Sequence, residues 1–136
     1  MARCWRALII SDTHNKLDKA VNLIRSLEGH IDAVYHMGDH IRDWERLQAM
    51  FPNLTITGVA GNCDYRIVEN EKTLEVLGHR IYMCHGHQHG VKFSYNTLKG
   101  FAKRNQYDVA LCGHTHIPFA DDEPDLLLLN PGSIGK

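Results

Sequence analysis

No stretch of this chain approaches the roughly 20 consecutive apolar residues of a membrane span, so a spanning helix is not expected. The apolar run near the N-terminus, within MARCWRALIISDTH, flows into polar residues without a small-residue cleavage site and reads as a first strand. Charge of one sign is also missing. Fifteen basic residues face 16 acidic ones, a net charge of -1, which offers no polybasic surface for nucleic acid or for an anionic membrane. Cysteine is sparse and unpaired in pattern. Cys4, Cys63, Cys84 and Cys112 contain no C-x-x-C, which argues against a structural zinc site and against a disulfide framework. Cys4, Cys84 and Cys112 are expected to be buried free thiols acting as small hydrophobes. There are no repeats, no low-complexity segments and no linker. The expectation is a single domain over residues 1–136, cytoplasmic, with 43% hydrophobic residues to build a core.

What is abundant is histidine, ten in all, and clustered. Apolar runs of strand length alternate with helical patterns in the first half. CWRALII reads as a strand, then KLDKAVNLIRSLEG as a helix with Leu17, Ala20, Val21, Leu23, Ile24 and Leu27 at helical spacing. IDAVYHMGD is a second strand. HIRDWERLQAMFP is a helix with Ile41, Trp44, Leu47 and Phe51 on one face, and LTITGVAGN is a third strand. This βαβαβ order predicts a largely parallel sheet. Next, KTLEVLGHRIYMCHG predicts an antiparallel pair turning at Leu77, Gly78 and His79. A helix over SYNTLKGFAKRNQ, with Tyr95, Leu98, Phe101 and Ala102 inward, and strands in DVALCGHTH and DLLLLNPGS complete the chain.

The polar clusters fall at strand ends, where open α/β sheets bind ligands. Asp12 and His14 follow the first strand, Asp39 the second, Asn62 the third; His85 closes the hairpin, and His114 and His116 follow the next strand. Each is weak alone, since D-x-H and G-D usually make turns and a lone histidine is more often structural. Together they give two carboxylates, four imidazoles and one amide, a set for borderline-to-hard divalent ions. Seven donors exceed one tetrahedral ion and suit two metals sharing a carboxylate. In extended backbone His114 and His116 would point the same way, whereas a bent chain would let each address a neighbouring ion. Two divalent ions, Asp12, Asp39 and one hydroxide leave the site positive by about one charge, which would attract a phosphate ester; a neutral Asn62 preserves that surplus.

The ordered motifs SDTH, MGDH, GNCD, CHGH and CGHTH resemble the series of the calcineurin-like metallophosphoesterases. GNCD, the H-G-H-x-x-G-V-K stretch from His85 to Lys92 and the terminal NPGS resemble the small YfcE-like phosphodiesterase branch. The resemblance implies an α/β fold, a four-layer α-β-β-α sandwich with two mixed sheets. It implies a dinuclear centre in which Asp12, His14, Asp39 and His116 hold one ion, and Asp39 bridges to a second held by Asn62, His85 and His114. Manganese is the first expectation; nickel, iron, zinc or magnesium are alternatives. A metal-bound hydroxide held by Asp39 would attack phosphorus in line, with Asn62 near the phosphate. The implied activity is hydrolysis of a small-molecule or exposed phosphodiester.

Two departures from that family pattern matter. Many relatives carry a histidine after the G-N asparagine to protonate the leaving group, where this chain has Cys63. A thiol with an ordinary pKa near ~8.5 could donate a proton, but Cys63 reads more readily as packing. Asp64 could orient a ligand or cap the next segment. The chain also ends at Lys136, shortly after NPGS, so the C-terminal strands of relatives are expected to be short or missing. Among the remaining histidines His87 is the first candidate to touch phosphate, beside His40 and His89; His30 and His79 should be solvated and His36 packed in or on the sheet. Trp44, Tyr65, Arg66 and Lys92 could shape the pocket. The alternatives are a catalytically weak scaffold like the retromer subunit of this fold, or a phosphomonoesterase. An exposed face of the second sheet would permit a homodimer.

Overall fold

The computed structural model describes residues 5–11, 18–37, 41–59 and 71–133, with backbone alone at 41–44 and 88. In the first half, β1 (Ala7–Ile10), α1 (Asp18–Leu27), β2 (Ala33–His36), α2 (Ile41–Met50) and β3 (Thr55–Gly58) alternate as the apolar spacing predicts. The strands form a parallel sheet in the order β1-β2-β3, in register so that Ile10 pairs with His36 and His36 with Gly58. Ala20 and Ile24 are the buried stripe of α1, one helical turn apart. Leu23, counted with them from spacing, lies off that stripe and is exposed, because i−1 from Ile24 falls about 100° around the helix. Leu47 and Phe51 are buried beside α2, and Pro52, which lacks an N–H to continue the helix, ends it.

The second half builds a mixed five-stranded sheet in the order β4-β5-β6-β8-β7. β4 (Glu71–Val76) and β5 (His79–Cys84) form the expected hairpin, but its turn is two residues long. Leu77 and Gly78 both take positive φ, 51° and 83°, as a type I′ turn requires. His79 is therefore the first residue of β5, paired with Val76, rather than part of the turn. A 3-10 turn at His87–His89 leads to α3 (Asn96–Arg104), then β6 (Val109–Leu111). β6 runs parallel to both β5 and β8 (Leu126–Asn130).

β7 (Phe119–Glu123) is an edge strand that the pattern of the sequence conceals. FADDE carries three consecutive acids, which reads as loop; antiparallel pairing with β8 and ion pairs to α3 hold it as strand. Lys99 bonds Asp121, and Lys103 meets Glu123 at 3.2 Å. Charges on an edge strand also disfavour pairing with other chains.

Three apolar clusters define the layers. Ala20, Ile24, Leu47 and Phe51 pack α1 and α2 on one face of the first sheet with Val34 and Ile56. Tyr35, Met37 and Val59 of the first sheet meet Met83 and Leu111 of the second. Leu98 and Ala102 of α3 pack with Tyr82, Ala110, Leu126 and Leu128 on the outer face of the second sheet. The order is helices, sheet, sheet, helix: the expected α-β-β-α sandwich. The run LLLL of β8 is apolar on successive residues because both faces of an inner strand are covered. Cys84 and Cys112 are buried, as expected; Cys4 lies outside the described residues. No described helix is long and apolar enough to cross a membrane.

Candidate metal centre

The carboxyl ends of β1, β2 and β3 stand side by side, since Ile10, His36 and Gly58 share one level of the ladder. The expected ligands Asp12, His14, Asp39 and Asn62 follow these ends in sequence but lie outside the described residues, as do Cys63, Asp64, His40, Tyr65, Arg66 and the Trp44 side chain. The second sheet supplies the described half of the site. His85 follows β5 and is wholly buried. Its carbonyl oxygen accepts the Gly113 N–H at 2.8 Å, which ties the exit of β5 to the exit of β6.

His85 reaches across to the other sheet. Its Nδ1 lies 2.7 Å from the carbonyl oxygen of Met37, the residue after β2. A carbonyl only accepts, so Nδ1 carries the proton and Nε2 presents its lone pair. That Nε2 lies 3.1 Å from Nδ1 of His114. One proton can bridge two such nitrogens, and so can one metal ion. At the usual metal–nitrogen distance of about 2.0–2.1 Å, a 3.1 Å separation subtends roughly 100° at the ion, between octahedral and tetrahedral angles. Donating the other ring N–H to a backbone carbonyl is how ligand histidines are generally oriented. The pair fits a divalent ion.

The backbone around His114 is not extended. His114 and His116 both have positive φ, 72° and 65°, so the backbone is bent here and the strand alternation that would aim them alike does not apply. His87 adds a third ring, with its centroid 5.4 Å from His85 and 6.0 Å from His114. His89, two residues on, is directed to the opposite face. Its Nε2 is 2.9 Å from the Tyr82 hydroxyl and its ring is 4.9 Å from Phe101 under α3. Gly86 makes this divergence possible at φ 114°, where a Cβ would also meet Val91 Cγ2 at 2.7 Å. The Cys84 thiol, beside His85 in sequence, is held well above its ordinary pKa by burial and by Cys112, so it stays a neutral thiol. His36 is fully buried, His30 is exposed, and His79 is exposed 3.7 Å from Asp108. Lys92 is exposed.

Among the described residues no three His, Cys, Asp or Glu side chains converge on a metal ion; His85 and His114 are the pair brought together. Two residues that the motifs did not single out hold the loop carrying His114 and His116. Asn130, in NPGS, is buried and donates from Nδ2 to the Gly113 carbonyl and to Thr115 Oγ1, each at 2.9 Å.

A family model described as the calcineurin-like phosphoesterase superfamily domain matches residues 6–136. A probable metallophosphoesterase of Methanocaldococcus jannaschii is 35% identical over 92% of this chain and 66% of its own length. A phosphodiesterase of the same organism is 27% identical over 91% of this chain and 81% of its own. Among solved structures, a conserved Streptococcus pneumoniae protein described as a predicted phosphoesterase superposes with a TM-score of 0.78 at 28% identity, over 98% of this chain and 75% of that one.

Proposed function

This chain belongs to the calcineurin-like phosphoesterase superfamily, and we propose that it is a metal-dependent phosphodiesterase built on a dinuclear centre. Asp12, His14, Asp39 and His116 would hold one divalent ion, and Asn62, His85 and His114 the second, with Asp39 shared. Manganese is the first choice of metal. The observation that carries this reading is the His85–His114 pair, with nitrogens 3.1 Å apart and the His85 tautomer set by Met37.

When bound, the ions would supply Lewis-acid charge at the phosphoryl oxygens and an activated water. The chain's own part is to fix the imidazoles before the ions arrive and to keep the site positive. Two carboxylates against two divalent ions leave a positive surplus, and the neutral Asn62 preserves it for an anionic ester. A phosphodiester is favoured over a monoester because the doubly charged monoester calls for added cations, and the motifs SDTH, MGDH, GNCD, CHGH and CGHTH carry no lysine or arginine. The named activity of the M. jannaschii phosphodiesterase supports the same choice. Cys63 would pack beside Asn62, and His87 would contact phosphate.

The test is to strip metal, restore manganese, nickel, zinc or magnesium singly, and compare bis-p-nitrophenyl phosphate with p-nitrophenyl phosphate. Turnover of the diester should return with manganese, disappear with Asn62→Ala and persist with Cys63→Ala. Faster turnover of the monoester would overturn the diesterase assignment. Two bound ions in a folded protein that cleaves neither ester would favour a binding scaffold.

A further inference from the structure

His114 and His116 each sit in left-handed backbone, which costs a residue with a Cβ about 1–2 kcal/mol, and such conformations persist only where their surroundings over-determine them. The surroundings here are specific. Asn130 is 2% exposed at the end of β8. Its two Nδ2 hydrogens are satisfied by Gly113 O and Thr115 Oγ1, with the Tyr95 hydroxyl also at 3.2 Å, while its Oδ1 accepts the Gly132 N–H at 2.9 Å. Thr115, between the two histidines, is used to capacity. Its Oγ1 accepts from Asn130 and from Ile117 N at 3.1 Å, and donates to Ile117 O at 3.2 Å. On the far side Gly132, at φ 74°, lies so close to Pro118 that a Cβ would fall 2.9 Å from the ring carbons. Residues 113–118 are thus gripped at one end by an amide and at the other by a glycine that only a missing side chain allows.

We propose that Asn130 and Thr115 are positioning residues that hold His114 and His116 in their strained, ligand-ready backbone, so that NPGS serves the metal centre through the CGHTH loop without touching metal. This rests on reading those histidines as metal ligands. Partners of metal ligands typically influence affinity 10–100-fold when removed, and that is the size expected here.

The experiment uses the full chain and four variants: Asn130→Leu, which keeps size and adds no charge; Thr115→Val, which removes only the hydroxyl; Thr115→Ser, which restores it; and Ile24→Val, a core change beneath α1. Manganese binding is measured by calorimetry, melting temperature by circular dichroism, and the His85–His114 ring contact by nuclear Overhauser effects in the metal-free protein. Asn130→Leu and Thr115→Val should weaken manganese binding 10–100-fold and lose the ring contact. Thr115→Ser should restore both to near wild type, and Ile24→Val should lower the melting temperature with affinity unchanged. Retention of affinity and ring contact in Thr115→Val overturns the proposal, as does an equal affinity loss in Ile24→Val. If Asn130→Leu does not fold, the Thr115 pair decides. If the wild type binds no ion, the ligand reading fails, and the metal-free ring contact still decides the clasp: loss in Thr115→Val supports it and retention overturns it.

Discussion

Met37 and His85 join the two sheets at the level of the candidate site, the carbonyl oxygen of one accepting the imidazole Nδ1–H of the other at 2.7 Å. Met37 directly follows β2 and its own N–H is bonded to Ile10 O at 2.9 Å, so the acceptor is fixed beside the first sheet's ladder. The bond does two things at once: it selects the tautomer whose Nε2 lone pair can serve as a donor to metal, and it satisfies a buried carbonyl. His85→Ala removes both. With the Met37 carbonyl left unpaired, urea unfolding of the metal-free variant should show a loss of about 1–3 kcal/mol, together with loss of metal-dependent turnover. Unchanged metal-free stability would mean that the bond between the sheets contributes nothing.

The hairpin turn offers a change in the opposite direction. Leu77 sits at φ 51° and is 48% exposed, so its side chain adds little to the core while its backbone is strained. Asn-Gly is the preferred pair for two successive positive φ values. Leu77→Asn should therefore stabilise the protein by about 1 kcal/mol in urea unfolding, with activity unchanged because the turn lies at the far end of β5 from His85. A destabilised Leu77→Asn would show that Leu77 packs where its exposure says it does not.

The sequence exposes the architecture and the ends of the strands far better than it exposes contacts between distant segments. β1, β2 and β3 with their helices follow from apolar patterning, because short apolar runs bounded by turn residues read as buried strands and the longer segments between them carry a helical period. β7 does not, because Asp121, Asp122 and Glu123 depend on Lys99, Lys103 and β8, none of them local. The candidate site divides the same way. His85 and His114 are flagged by their places after strands, but nothing local separates His87, beside them, from His89, which turns to Tyr82. Asn130 and Thr115 are recognisable only once β8 and β6 are neighbours, since the bonds from Asn130 to Thr115 and Gly113 span 15 and 17 residues. Four of the seven expected ligands, Asp12, His14, Asp39 and Asn62, lie outside the described residues.

His89 gives the stability of the fold a dependence on pH. The Tyr82 hydroxyl donates to Glu71 and accepts from His89 Nε2–H, and burial holds the tyrosine pKa well above its ordinary value, so this donor is permanent. Burial lowers the His89 pKa below its ordinary 6.5, opposed by the nearby Glu71 charge. The neutral imidazole is therefore the form that the folded state favours. Its contribution is present above the unfolded pKa and is lost as pH falls below about 6.5 towards the folded value. Urea unfolding at pH 7.5, 6.5 and 5.5 should show wild type more stable than His89→Gln at the highest pH, with the gap narrowing as pH falls. A gap of constant size would exclude His89 as the titrating group.

Strain at His114 allows one substitution to separate metal binding from metal-free stability. At φ 72° glycine is relieved of the left-handed penalty of about 1–2 kcal/mol, while it adds about 0.5–1 kcal/mol of unfolded-state entropy and forfeits the contact with His85. These effects nearly cancel, so metal-free His114→Gly should stay within about 1 kcal/mol of wild type. The metal-bound proteins should differ sharply. An ion at a hundred times its Kd stabilises the folded state by about 2.7 kcal/mol, which for a domain of this size raises the melting temperature by on the order of 10 °C. Manganese should produce that rise in wild type, a chelator should reverse it, and His114→Gly should lose most of it. An equal rise in wild type and His114→Gly would show that the ion is held without His114, and the strained loop would then need another reason to exist.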